Sequence, residues 1–257
     1  MTGFVVTVCA VLGLAVGSFL NVVIWRVPRR ESIVRPRSHC PSCGARIKPA
    51  DNVPVLSWLV LRGRCRQCRA RISVRYPVIE IGCAVLFGAV GARFADSAAL
   101  PAYLVLAAGL LALSAIDVEH YLLPNRIVFP LAGLGAALLG LAAALDGDGD
   151  AYVRALLGGL VAYGGLFTIH LISPRGMGMG DVKLALVLGL YLAWLGWGVL
   201  ALGLFLGFLS GAVVGLVLIA LRLRTRKDHV PFGPFLAVGT LIAVLWGPQL
   251  LDWYLHR

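Results

Sequence analysis

Apolar residues run in long blocks along most of the chain, parted by short polar or glycine-rich stretches. The blocks fall at 3–25, 77–95, 100–116, 126–145, 152–172, 182–197, 199–221 and 232–251. Each is near the ~20 residues that cross a hydrocarbon core ~30 Å thick. The pattern predicts an all-α polytopic membrane protein with about eight transmembrane helices. The sixth and seventh blocks are split only at "LGWG", the weakest boundary. Residues 26–76 break the pattern. They form a polar insert, large enough to fold by itself, between a first transmembrane helix (1–25) and a membrane core (77–257).

Composition agrees. Of 257 residues, 60% are hydrophobic, against ~45–50% in soluble domains. The net charge is +11, and its placement matters more than its size. Residues 26–75 carry 13 of the 23 Lys and Arg, and 7 more fall at 126, 175, 183 and within 222–227. Alternating spans put all of these on one side, leaving Arg93, Arg154 and Arg257 beside the acidic "DGDGD" loop (146–150) on the other. Basic residues mark the cytoplasmic side, so the insert is expected in the cytoplasm and both termini outside. Membrane topology accounts for the basic bias, and no nucleic-acid partner is expected. The start lacks a basic n-region and a small-residue cleavage site, so no removable signal peptide is read.

The insert holds Cys40, Cys43, Cys65 and Cys68 in a C-x2-C-x21-C-x2-C arrangement. Two such knuckles bring four thiolates onto a tetrahedral zinc ion. Gly44 follows the first pair, as a knuckle turn requires, and Arg64, Arg66 and Arg69 favour thiolates. Four cysteines leave no open coordination position, so the Zn2+ is structural and the insert zinc-ribbon-like. A cytosolic site argues against disulfides. His39, next to Cys40, is a substitute ligand or a solvated loop residue. Cys9 and Cys83 lie within spans as small packing residues.

Two aspartates fall at span ends on the expected cytoplasmic face. Asp117 closes the third span in "LSAIDVEHYLLPN", and Asp181 opens the sixth in "GMGMGDVKLALVLGL". Transporters keep carboxylates nearer the midplane; span ends suit an enzyme that uses water. Two adjacent carboxyls can share a proton, one acting as general base on water and the other as acid toward the leaving amine. Gly178 and Gly180 admit unusual backbone conformations and the close approach of another chain. The competing reading makes Asp181 a first-turn residue favoured by the helix dipole. Glu119 is the rival to Asp117. Lys183 is a topology anchor or a tuner of the aspartate pair.

Together these blocks resemble the bacterial type IV prepilin peptidases, membrane aspartic proteases of the GxGD type. "GSFLNVVIWRVPRR" is similar to the family's first span and exit, and residues 40–80 to its cysteine insert. "DVEHYLLPN" and "GMGDVKLALVLG" resemble its two aspartate motifs, and "PFGPFLAVG" its last-span motif. The resemblance runs from about residue 13 to about 240. It implies Asp117 and Asp181 as the catalytic pair, and Cys40, Cys43, Cys65 and Cys68 as zinc ligands. It further implies cleavage of a short basic leader from a prepilin or pseudopilin precursor at the cytoplasmic face of the bacterial inner membrane. N-methylation of the new terminus with S-adenosylmethionine is associated with members that keep the insert.

No Rossmann-type G-x-G-x-x-G supports that cofactor independently, and Gly63 with Arg64 is a weak candidate against an ordinary turn. Glu80 and Glu119 are candidate contacts for leader lysines; Glu80 pairs equally well with an insert arginine. The expected partners are the precursor and membrane lipid, and no oligomeric state follows from the sequence. The main alternative is a zinc-containing membrane adaptor of a pilus or secretion machine without catalysis. An ion transporter and a presenilin-like protease fit less well.

Overall fold

The computed structural model describes every residue except 36, 175, 224–229 and 256–257. Arg175, most of the basic run within 222–227, and Arg257 therefore lie outside the described residues. The described residues contain nine α-helices and no strands beyond two isolated β-bridges. They are α1 (Thr2–Arg26), α2 (Leu56–Val60), α3 (Arg75–Phe94), α4 (Leu100–His120), α5 (Asn125–Asp146), α6 (Gly149–Ile172), α7 (Met179–Leu195), α8 (Trp197–Ala220) and α9 (Gly233–Leu255). All but the short α2 correspond to the eight apolar blocks.

Seven of these helices are long and apolar enough to cross a membrane. The eighth, α7, has 17 residues. It ends at Gly196, where φ of 141° is open to glycine, and α8 begins at the next residue. That one residue is the physical basis of the "LGWG" boundary.

The chain divides into two compact units, Met1–Ala95 and Asp96–Arg257. In the first, the insert is held between α1 and α3, which pack along their length. A side chain at Gly13 or Gly17 would come within 2.7 Å of the α3 backbone at Ala84 or Glu80. Close approach of this kind is how membrane helices associate, because lipid gives no hydrophobic drive between them. The division at 1–25, 26–76 and 77–257 read from polarity separates α3 from α1. Contact groups α3 with α1 and the insert.

In the second unit α7 is enclosed by its neighbours, with eleven of its residues buried from Asp181 to Ala193. Gly159 on α6 sits against the backbone carbonyl of Leu186 on α7, and Gly207 on α8 against Leu236 on α9. At the far end, Arg154 of α6 donates to the carbonyls of Ala193 and Trp194, both at 2.8 Å. Both carbonyls belong to the last turn of α7, where no residue four positions on continues the helix; that of Ala193 also accepts the Gly196 N–H at 3.1 Å.

Candidate active site and metal centre

In the second unit one end of the helix bundle gathers the predicted carboxylates. Asp117 lies one turn before the end of α4, which closes on Tyr121 in a left-handed conformation. Its side chain is 6% exposed. The carboxylate Oδ2 accepts the backbone N–H of Gly233 at 2.9 Å. Gly233 opens α9, where N–H groups have no partner within the helix, so Asp117 caps a helix 116 residues away in sequence.

Asp181 lies in the first turn of α7, with Gly178 as the N-cap, and is also buried. Its carboxylate folds back toward Gly178: a side chain there would meet Oδ2 at 3.1 Å. The backbone N–H groups of Gly178 and of Asp181 itself bond it. This is one half of a capping box, the N3 side chain reaching back to the N-cap; Gly178 has no side chain to return the bond.

The two carboxylates lie on either side of Leu123, which lies in the turn between α4 and α5. Leu123 packs beside both Gly180 and Gly233, and the charge of Asp117 acts on Asp181. Neither Gly178 nor Gly180 has a positive φ. The chain's own packing needs these glycines, one for the returning Asp181 carboxylate and one for Leu123. The expectation of an unusual backbone conformation is corrected here; what approaches these glycines is the chain's own Asp181 and Leu123.

The supporting candidates fall in different places. Lys183 donates to Asn125 Oδ1 at 3.1 Å and stands 5.9 Å from the Phe129 ring, turned toward α5. Glu119 is two-thirds covered, with its carboxylate 3.9 Å from His120 Nε2. Glu80 belongs to the other unit and is buried on α3. It accepts the N–H of Val55 at 2.7 Å and a bond from Ser18. Val55 holds φ of 60°, a genuine outlier for a β-branched residue. Glu80 thus fastens a strained loop of the insert to the α1/α3 pair.

Sequence reasoning assigned no role to Gly233, although "PFGP" sets a glycine between prolines where a helix starts. It also passed over His170, whose Nδ1 lies 2.8 Å from the Met177 carbonyl and so ties the end of α6 to the loop before Asp181.

The insert brings its four cysteines together. The sulfurs of Cys40, Cys43, Cys65 and Cys68 lie within 4.8 Å of one another, and those of Cys40 and Cys68 are 3.8 Å apart. A tetrahedral ion with metal–sulfur bonds of ~2.3 Å has sulfur–sulfur edges of ~3.8 Å, so the donor set fits such an ion. The two knuckles repeat each other as "CPSCGARI" (40–47) and "CRQCRARI" (65–72). The first cysteine of each donates the same bond, from its N–H to the Ala45 or Ala70 carbonyl oxygen at 2.8 Å. The bridges His39–Arg46 and Arg64–Arg71 are equivalent pairs.

Burial opposes ionisation of Cys40. The N–H groups of Cys43 and Ser42 and the neighbouring thiols outweigh it and bring the thiol down to about 6. At Cys68 the Ala70 N–H favours the thiolate, but burial and the other three thiols prevail and push it up to about 11. One thiol of the cluster therefore ionises well before another. His39 is exposed, and its Nδ1 faces the Arg37 carbonyl at 3.2 Å. Gly63, with φ of 63°, makes room for the Trp58 ring, which would lie 2.9 Å from any side chain there. Asp51 receives a two-pronged bond from Arg66 at 2.6–3.0 Å, which holds its carboxyl below the usual range.

Fold and sites together define a polytopic helical membrane protein with buried carboxylates at one end of its bundle and a separate four-thiol centre. The Bacterial Peptidase A24 N-terminal domain matches residues 11–94, and the Type IV leader peptidase family matches residues 104–216. The chain is 41% identical over 275 residues to the prepilin leader peptidase/N-methyltransferase of Stutzerimonas stutzeri, covering 96% of this chain and 93% of that protein. It is 41% identical to the protein of that name from Pseudomonas aeruginosa, over 95% and 91% of the two chains. For the Aeromonas hydrophila protein the identity is 40%, over 94% and 91%. No solved structure matches significantly. The chain belongs to the type IV leader peptidase family. The two matched regions fall one in each compact unit.

Proposed function

We propose that this protein removes the leader peptide of a prepilin or pseudopilin and then N-methylates the exposed terminus. The observation that carries the peptidase reading is that Asp117 and Asp181 are both buried beside Leu123, near enough for the charge of one to act on the other. In this reading the ionised carboxylate takes a proton from water, which attacks the scissile carbonyl. The protonated partner bonds that carbonyl and passes its proton to the leaving amine. Two carboxyls sharing one site cannot both ionise readily, which supplies the acid and the base together. The amine freed by cleavage becomes the methyl acceptor, with S-adenosylmethionine as donor. Cys40, Cys43, Cys65 and Cys68 hold a structural Zn2+ that fixes the two knuckles. The basic bias of the insert supports its placement in the cytoplasm, with the carboxylate end of the bundle on the same face. An adaptor without catalysis leaves two buried acids at one bundle end unexplained.

The test is cleavage of a candidate prepilin with S-adenosylmethionine present, read by mass spectrometry. Asp117→Asn and Asp181→Asn each abolish cleavage while the protein still inserts and melts like the parent. Full activity in either variant removes the paired-aspartate mechanism.

A further inference from the structure

The short helix α2 belongs to the polar insert, yet the stretch that holds it, Pro54 to Leu61, reads PVLSWLVL. Trp58 turns inward, over Gly63, and its Nε1 donates to the Ile72 carbonyl at 3.3 Å. Leu56, Leu59 and Val60 are spaced to share the opposite face of the helix. They are between 57% and 76% exposed. Apolar side chains scattered singly need no partner, but a cluster marks a surface that something apolar covers.

Two contacts set the depth of this face. Val55, the N-cap of α2, donates to Glu80 of α3, and Ser18 of α1 bonds the same carboxylate. Pro54 lines a cleft with Ala15 and Ser18. Ser18 stands eight residues before the end of α1, about 12 Å along its axis, and Glu80 five residues inside α3, about 7.5 Å. The segment entering α2 therefore reaches back beside the two helices and does not stand off in solution. With five residues α2 is only about 7.5 Å long, so all of it stays near that level.

What surrounds α1 and α3 at that level is lipid. Both are long and apolar enough to cross a membrane, and Phe19 on α1 and Val78 and Ile81 on α3 are exposed there. Backbone donors at such depth must be satisfied within the protein, and those leading into α2 are. Val55 donates to Glu80, Leu56 to the Pro54 carbonyl at 2.6 Å and Ser57 to that of Val53 at 3.1 Å, and Pro54 has no N–H. Just beyond the apolar face come Arg62 and Arg64, both exposed. Guanidinium groups placed there suit the phosphates of the headgroup layer.

We propose that α2 lies in the membrane interface, with Leu56, Leu59 and Val60 among the acyl chains and Arg62 and Arg64 at the headgroups. Interfacial helices bury an apolar face in this way. The bond from Trp58 to Ile72 then carries that anchorage to the second knuckle and fixes its height over the bilayer.

The experiment uses the full chain in vesicles of phosphatidylglycerol and phosphatidylcholine in equal parts, with the photocrosslinker benzoylphenylalanine replacing Leu59 or, in a second variant, Val60. Adducts formed on irradiation are identified by mass spectrometry. Both positions are expected to yield lipid adducts within about twofold of the same probe at Val78, and about tenfold above it at Arg46, an exposed position on the first knuckle. A yield no higher than at Arg46 would place α2 in water and overturn the proposal. Adducts to an added precursor formed at the expense of lipid would make the face a precursor groove, and chain-to-chain adducts an interface between copies; either result overturns it as well. The probes leave Trp58 and Glu80 in place, and thermal melting of each variant reports that the unit has folded.

Discussion

Gly233 donates its backbone N–H to the Asp117 carboxylate at 2.9 Å, and a Cβ at Gly233 would stand 2.8 Å from that same oxygen. The bond and the missing side chain are one device. Only a bare backbone can come this close, and the approach fixes which way the carboxylate points. Gly233→Ala is therefore expected to turn Asp117 aside. Misplacement by about 1 Å can cost ~10²-fold in rate, and a loss of that order in kcat is the expected outcome. KM for the precursor should change little. Steady-state cleavage assays separate the two, and an unchanged kcat would show that the bond does not orient the acid.

Glu80 is predicted to act through structure, because its carboxylate is occupied by Val55 and Ser18 inside the first unit. Glu80→Ala strands the part-buried Val55 N–H and should lower stability by about 1 kcal/mol. Glu80→Gln keeps an acceptor oxygen and should recover most of that loss. Melting curves in detergent compare the two. A change in precursor preference in the Gln variant, without a stability change, would instead place Glu80 in recognition.

The knuckle repeat sets Arg69, at φ of 60°, where the first knuckle has Gly44 at 70°. A left-handed conformation costs a non-glycine residue roughly 1–2 kcal/mol. Arg69→Gly should therefore stabilise the insert by about 1 kcal/mol, and Gly44→Ala should destabilise it by a similar amount. Opposite shifts in the melting temperature of the two variants are the signature. Shifts of the same sign would break the equivalence of the knuckles.

For the metal centre, elemental analysis of the purified protein should find about one zinc per chain, lost in Cys40→Ser or Cys65→Ser. Thiolates bind the ion and thiols do not, so acid competes with metal. The Cys40 thiol titrates below its ordinary value of 9.0, at about 6. Its contribution is therefore complete above the ordinary value and is lost as pH falls through about 6. Zinc affinity, read by competition with a chelator, should therefore weaken as pH falls through this range. An affinity that does not change with pH would separate the ion from these thiols.

Much of this architecture was legible from one-dimensional order. A membrane helix announces itself by length and hydropathy, so the blocks fall within a few residues of the helices. The cysteines were legible because knuckle geometry fixes their spacing. Asp117 and Asp181 stood out as acids at span ends. The partners of such charged side chains were not legible, since Gly233 reaches Asp117 across 116 residues and Asn125 reaches Lys183 across 58. Glu80 and Lys183 show the same limit from the other side. Hydropathy says that a charge sits near a helix end but not which neighbour it faces.

The brevity of α7 has its own consequence. Seventeen residues rise about 25 Å, short of a hydrocarbon core of ~30 Å. A helix so short among lipids would suffer hydrophobic mismatch and thin the bilayer around it. Enclosed by other helices, α7 escapes that penalty, and the shortfall becomes an internal step. The polar terminus bearing Asp181 can then sit deeper than a lipid-facing helix end would, which under the proposed mechanism brings water to the depth where a membrane-bound precursor presents its peptide bond.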